Sequence, residues 1–225
     1  MDKMVALIPA YNEVERILPV IQGAREFLPV WVVDDGSSDQ TAVVSEAAGA
    51  QVIRQSPNQG KGCALKTGFR HALASGIEAV ITLDADGQHL PQEIERFLGK
   101  HSSTRADLII GQRDFSQMPV VRRISNTIGR SMFSWALRIP VNDNQSGYRL
   151  VSARLMQAML DSRESGFELE VEMVVVCVLN HFRLEWVPIS TIYAGEKSHI
   201  KPLQHGYNFL RVTLATRKRT DPLKK

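Results

Sequence analysis

The sequence predicts an α/β protein built on a mostly parallel sheet with helices on both faces. Short β-rich runs at about 4–9, 30–34, 51–54, 79–84 and 107–111 alternate with helix-like segments at about 13–27, 39–49, 61–75 and 91–100. That order feeds parallel strands through crossover helices. Three of the runs end in polar clusters, Tyr11-Asn12-Glu13, Asp34 to Asp39 and Asp84 to Gln88, and the carboxyl ends of strands are where an open α/β sheet presents its ligand crevice. The 225 residues are 44% hydrophobic and 23% charged, which supplies one substantial core.

Taken in order, the first run leads into Leu7-Ile8-Pro9-Ala10 and its polar loop, and the second is Val30-Trp31-Val32-Val33. Ser38 or Asp39 suits the cap of the second helix. Ala79-Val80-Ile81-Thr82-Leu83 reads as a buried strand. Pro91 fits the first turn of the fourth helix, with Glu93 and Glu95 near its positive end. Beyond residue 111 the alternation fades into a basic, apolar helical stretch from about 119 to 138 and a polar loop at about 140–148. Glu168 to Glu172 alternates with period two, yet Val171, Val174, Val175 and Val178 fit one helical face, and a helix is expected there.

Residues 1–200 are expected to form a single domain, followed by a basic helix and tail at 201–225. That tail carries seven Lys and Arg against Asp221, a net +6 that leaves −3 for residues 1–200 within the overall +3. Such a tail favours an anionic surface. The longest apolar run, Met173 to Leu179, is far short of the ~20 residues of a bilayer span, and no signal sequence is expected, because residues 1–12 read directly as a strand and its loop. Cys63 and Cys177 lack metal or redox spacing and read as buried thiols in a reducing cytosol. No aromatic-basic nucleic-acid module is present.

Asp84-Ala85-Asp86-Gly87-Gln88 is the most informative stretch. A strand ending in two carboxylates and an amide at alternate positions offers Asp84, Asp86 and Gln88 as oxygen ligands to Mg²⁺ or Mn²⁺, which typically stays incompletely coordinated until substrate phosphates arrive. Lys61, after a glycine and before a helix, suggests an anion contact without completing a phosphate-loop motif.

Pro9-Ala10-Tyr11-Asn12-Glu13, Asp34-Asp35-Gly36-Ser37-Ser38-Asp39-Gln40-Thr41, Asn58-Gln59-Gly60-Lys61-Gly62 and Asp84 to His89 together resemble the successive signatures of family 2 glycosyltransferases of the GT-A fold. Asp143-Asn144-Gln145-Ser146-Gly147-Tyr148-Arg149 and Gly166-Phe167-Glu168 are similar to the polyprenyl-phosphate branch of that family, which includes dolichol-phosphate mannose synthases. The resemblance implies donor binding by Pro9, Tyr11, Glu13, Val33, Asp35, Asp84, Ala85 and Asp86, with Asp86 and Gln88 the foremost metal ligands and Asp84 turned toward sugar or ribose. It implies a GDP-mannose or UDP-hexose donor, a polyprenyl phosphate acceptor, inversion at the anomeric carbon, and a place on the cytoplasmic face of a membrane, with a membrane-protein partner as a further expectation.

The acceptor sets the chemistry. A sugar hydroxyl needs a general base, whereas a lipid monophosphate with a second pKa near ~6 is already a nucleophile that needs positive charge to hold it. Arg113 matches the branch's phosphate-binding arginine and is expected to be catalytic with Asp86; Arg122 and Arg123 are further acceptor-phosphate candidates, and arginine suits bidentate phosphate recognition. Val121, Ile124, Ile128, Met132, Trp135 and Ile139 recur every three or four residues beside Arg122, Arg123, Arg130 and Arg138, as an interfacial helix does. A core-facing helix carries the same stripe. Tyr207, Leu210 and Leu214 form a second such element.

The family's arginine before the closing loop is missing from Thr191 to His199, so closure falls to Lys197, His199 or Lys201. The Gln-x-x-Arg-Trp motif of polymer synthases is also absent. Two alternatives stay open: transfer to a hydroxyl of a glycolipid or saccharide, with Asp143 as base, and a non-catalytic nucleotide-sugar-binding partner of a membrane complex.

Overall fold

The computed structural model describes residues 3–117, 120–162, 164, 166, 168–190 and 202–221, and all side chains among them except those of 117, 120–122 and 202–209. Their order is β1 (Met4–Ala10), α1 (Ile17–Arg25), β2 (Val30–Asp35), α2 (Thr41–Ala47), β3 (Gln51–Gln55), α3 (Lys61–Ala74), β4 (Ala79–Thr82), α4 (Ile94–Thr104), β5 (Leu108–Arg113), α5 (Val120–Leu137), β6 (Arg149–Ser152), α6 (Ala153–Leu160), α7 (Glu168–Leu179), β7 (Leu184–Ile189) and α8 (Pro202–Arg219). The described residues form a seven-stranded sheet in the order β3-β2-β1-β4-β6-β5-β7. All adjacent pairs are parallel except those of β6, which runs antiparallel between β4 and β5.

Side chains alternate between the two faces with the period of two that a strand imposes. Val5, Leu7, Trp31 and Val33 face Ala64, Leu65, Phe69 and Ala72 of α3 and the valines of α7. Ala6, Ile8, Val30 and Val32 face Ile17, Val20, Ile21 and Ala24 of α1 and Ile94 and Phe97 of α4. With both faces covered, β1, β2 and β4 read as nearly unbroken apolar runs, while the edge strand β3 leaves Gln51 and Arg54 exposed. At Gly68 a Cβ would stand 2.6 Å from the Leu7 methyl carbons, so the missing side chain lets α3 lie directly on β1 and carries its first residue, Lys61, to the crevice.

Four elements differ from the expectation. α1 begins at Ile17 rather than near 13, because the amides of Glu13 and Val14 donate to Thr41 Oγ1 at 2.8 Å and Asp39 Oδ2 at 3.3 Å, which holds that segment in a turn. The β4 ladder stops at Thr82; Leu83 N still donates to Leu7 O at 3.1 Å, and the chain then turns. The short antiparallel β6, just beyond the polar loop, was not read as a strand, since four residues give too little period. The apolar stripe of α5 points outward: Ile124, Ile128 and Trp135 are about half exposed, while Phe133, Ala136 and Leu137, on another face, enter the core. The N-cap of α2 is Gln40, which makes no side-chain cap, rather than the expected Ser38 or Asp39; Asp39 Oδ1 accepts from Thr41 N at 2.9 Å from one residue further out, and residues 168–179 are helical. In the basic C-terminal segment α8 seats Val212 in the core and leaves Leu210 and Leu214 exposed. Cys63 and Cys177 are both free thiols.

Candidate active site

The loops after β1 and β2 are stitched together at the carboxyl end of the sheet. Asn12, in the left-handed region with φ 55, donates from its amide to Ser37 Oγ at 2.9 Å and accepts from Ser38 N at 2.9 Å. A short polar side chain tolerates that backbone better than most. Beside it Tyr11 stands 48% exposed, an unburied aromatic face at the mouth of the crevice. Pro9 is buried beneath, and Glu13 lies 3.3 Å from Arg16 Nη1.

Asp35 is buried and its carboxylate accepts from Gln59 N at 2.9 Å, Gly60 N at 2.7 Å and the Gln55 side-chain amide. These bonds shape the 55–60 turn that leads into α3. Val33, expected among the donor contacts, is buried in the core packed against α3, two residues before Asp35 on the same strand.

The next layer is a buried charge cluster. Lys61 Nζ lies 2.5 Å from Asp84 Oδ1 and 2.8 Å from Glu170 Oε1, so one ammonium bridges the β4 loop and α7. Burial alone would raise the Asp84 carboxyl, but the Lys61 ammonium, with His89 and Arg113 further off, overrides it and holds the group down at about 2. Burial opposes the Lys61 charge too, yet Asp84 and Glu170 together drive its pKa above the ordinary lysine value. His89 is shifted the other way, lowered chiefly by burial against the pull of Asp84, and its Nδ1 accepts from Asp84 N at 3.2 Å, which places the proton of the neutral ring on Nε2.

Gly147 closes this cluster from the opposite side. A Cβ there would stand 2.7 Å from Asp84 Oδ2 and 2.9 Å from Lys61 Nζ, and Thr82 Oγ1 donates to Gly147 O at 2.7 Å. Arg149, 1% exposed, fixes the same loop by donating to Ser146 O at 2.7 Å, Asn144 O at 3.1 Å and Glu170 O. Burial lowers its pKa, with Glu170 and Asp143 opposing.

Asp84, expected among the metal ligands and the donor contacts, pairs with Lys61 in this structure. Among the described residues no group of three His, Cys, Asp or Glu side chains is arranged to hold a metal. Asp86 and Gln88 occupy the turn beyond, where Gln88 N donates to Asp86 Oδ1 at 3.0 Å and Gly87, at φ 78, has open space where a side chain would project. Two oxygen-bearing side chains on an open turn fit a hard cation whose remaining ligands come from phosphate and water.

Arg113 ends β5 with its guanidinium held by Asp143: Nε donates to Oδ2 at 2.7 Å and Nη2 to Oδ1 at 3.0 Å. The Asp143 side chain is 1% exposed and that of Arg113 18%. Phe115 brings a second arginine to this place, with the Arg113 and Arg130 guanidiniums 5.9 and 5.5 Å from its ring centroid, within cation–π range. Asp143 therefore serves as counter-ion to Arg113, a poor position for the base considered for it. Arg123 is exposed on α5; the side chain of Arg122 and the residues Lys197, His199 and Lys201 lie outside the described residues.

The structure thus brings Asp84 and Arg113 into one charged field, with Asp86 and Gln88 beside them. The sequence reading missed Glu170, Arg149 and the close approach of Gly147. A usable signal was present for Glu170, since an acid in the first turn of α7, whose later residues Met173–Leu179 are all apolar, calls for a buried partner.

Carboxylates, a lysine and paired arginines thus gather at the carboxyl ends of the strands, where an open α/β sheet presents its ligand crevice. The chain belongs to glycosyl transferase family 2, whose model matches residues 5–162, and it is a glycosyltransferase. It is similar to an undecaprenyl-phosphate mannosyltransferase of Micrococcus luteus, 31% identical over 208 residues, covering 84% of each chain. It is also similar to a UDP-N-acetylglucosamine–dolichyl-phosphate N-acetylglucosaminyltransferase of Methanococcus voltae, 28% identical over 219 residues, covering 85% of this chain and 87% of the other. Among solved structures, glucosyl-3-phosphoglycerate synthase of Mycobacterium tuberculosis, in complex with Mn²⁺ and UDP-glucose, shares the fold with a TM-score of 0.75 at 20% identity, covering 96% of this chain and 79% of that one.

Proposed function

We propose that this glycosyltransferase moves one sugar from a nucleotide diphosphate donor, GDP-mannose or a UDP-hexose, to a polyprenyl phosphate with inversion at the anomeric carbon. The observation that carries this reading is the state of Asp143, buried and clamped in two places to Arg113. A hydroxyl acceptor requires a base within reach of its proton, and this carboxylate is committed to an arginine. A phosphate acceptor requires cations instead, and Arg113 with Arg130 beside Phe115 supplies them. The names of the two relatives above, both transferases to polyprenyl phosphates, support the same acceptor class.

On the donor side Tyr11 offers a stacking face, Glu13 an acceptor for ribose hydroxyls, and Asp86 and Gln88 would hold Mg²⁺ or Mn²⁺. That ion, when bound, supplies positive charge against the developing charge of the leaving diphosphate. Asp84 stands between the two halves of the site, and Arg113 holds the acceptor phosphate in line for back-side attack.

The acceptor is a lipid, and the surface suits a membrane. Ile124, Ile128, Trp135, Leu210 and Leu214 are all 44% exposed or more. α5 and α8 adjoin, with Arg217 stacked 4.7 Å from the Trp135 ring centroid and donating to Trp135 O at 3.2 Å. Exposed Arg123, Arg138 and Lys218 flank the apolar side chains, as on an interfacial helix. Among the described residues no helix is long and apolar enough to cross a membrane, and we assign the protein to peripheral attachment at the cytoplasmic face.

The test is Asp86→Ala, assayed with labelled GDP-mannose and UDP-hexoses, a short polyprenyl phosphate and Mn²⁺. Transfer by the parent chain and its loss in a variant of unchanged melting temperature are expected. Undiminished transfer by the variant overturns the donor half of the reading.

A further inference from the structure

Glu170 lies on α7, away from the loops that carry the donor and acceptor groups, yet its Oε1 is 2.8 Å from Lys61 Nζ while Asp84 Oδ1 is 2.5 Å from the same nitrogen. Glu170 and Lys61 are well buried, with side chains 8% and 19% exposed. A buried cation that loses its only counter-ion carries a penalty of several kcal/mol, so a Lys61 paired with Asp84 alone would hold that carboxylate in place. With Glu170 present, the lysine keeps a partner when Asp84 turns to something else.

We propose that Glu170 is a positioning residue for donor binding: it acts as the standing counter-ion of Lys61 and so releases Asp84 to engage the cation that accompanies the nucleotide diphosphate. The inference rests on the donor reading above and extends it to a residue that never touches the ligand. Gly147 enforces the exchange, since its bare Cα lets Asp84 and Lys61 sit against the 143–147 loop with no room for a side chain, leaving the crevice as the direction in which Asp84 can move. Arg149, donating to Glu170 O, pins the first turn of α7 so that the carboxylate stays in reach.

Glu170→Gln is the discriminating variant, because the amide keeps the shape and an acceptor for Lys61 but removes the charge. Binding of GDP and UDP in the presence of Mn²⁺ is read by calorimetry, beside donor KM, kcat and melting temperature. Roughly ten-fold weaker nucleotide binding is expected, mid-range for coupled contacting residues. Donor KM rises by a similar factor, kcat at saturating donor changes less, and Glu170→Asp recovers part of the affinity. Because Glu170 acts through Lys61, the loss is absent when Glu170→Gln is added to Lys61→Met. Equal binding by parent and Glu170→Gln, or a loss that persists undiminished in the Lys61→Met background, overturns the inference. A parent chain that binds neither nucleotide overturns the donor reading and this inference together.

Discussion

Replacing Gly147 by alanine tests whether the Lys61–Asp84 pair must sit where the structure has it. The new Cβ would lie 2.7 Å from Asp84 Oδ2 and 2.9 Å from Lys61 Nζ. Restoring ordinary contact pushes the carboxylate by about 0.7 Å, and misplacing a catalytic group by ~1 Å costs on the order of 100-fold in rate. A ten- to hundred-fold loss of kcat/KM for the donor, roughly, is therefore expected. Stability falls by roughly 0–2.6 kcal/mol, the ~1–3 kcal/mol of overpacking less the ~0.4–1 kcal/mol gained in the unfolded chain when glycine is replaced. Steady-state transfer kinetics beside thermal melting make the comparison. A variant with parental kinetics would refute the reasoning, as would one that loses activity only because it no longer folds.

Other substitutions separate the remaining parts of the account. Asp143→Asn should raise the KM for polyprenyl phosphate and destabilise by about 3 kcal/mol or somewhat less, as for a broken buried pair whose arginine keeps some solvent, while the pH profile of kcat keeps its shape; a vanished limb would mark Asp143 as a base. Ile124→Ser with Ile128→Ser should weaken binding to anionic vesicles by roughly 30-fold, since each half-exposed side chain has about 1 kcal/mol of burial left to gain, and co-sedimentation measures it. Asp107, away from the site, is buried, but hydrogen bonds from Arg154, Arg183 N and Ser152 outweigh burial and lower its pKa from the ordinary 3.8. Its stabilisation is thus complete above about pH 4 and disappears as pH falls through the lower folded value. Asp107→Asn should accordingly show a shallower drop in melting temperature between pH 5 and pH 2 than the parent, and parallel curves would contradict the shift.

The parallel half of the sheet was legible because β1 to β4 alternate with helices, and β1, β2 and β4, buried on both faces, are apolar runs ending in polar residues. The second half was not. β6 has four residues and pairs antiparallel, and no local pattern announces a strand inserted between β4 and β5. The stripe on α5 was visible as a stripe, but two apolar faces share that helix, and only packing decides that Phe133 and Leu137 go inward while Ile128 and Trp135 stay out. Asp84, Asp86 and Arg113 stood out because each follows a strand. Their pairings did not: Lys61 was read as an anion contact and Asp143 as a base, Lys61 lies 23 residues from Asp84 and Glu170 86 residues away, and a buried ion pair is written in spatial proximity that sequence spacing does not encode.

The central claim is that the acceptor is a lipid phosphate. Its most direct measurement is the product formed from a labelled nucleotide sugar when the chain is given Mg²⁺ or Mn²⁺ and an equal mixture of polyprenyl phosphate and the corresponding free polyprenol. The account predicts a single organic-extractable, acid-labile sugar phosphate of inverted configuration, with the polyprenol untouched. An acid-stable glycoside of the alcohol, or a retained anomeric configuration, would contradict it.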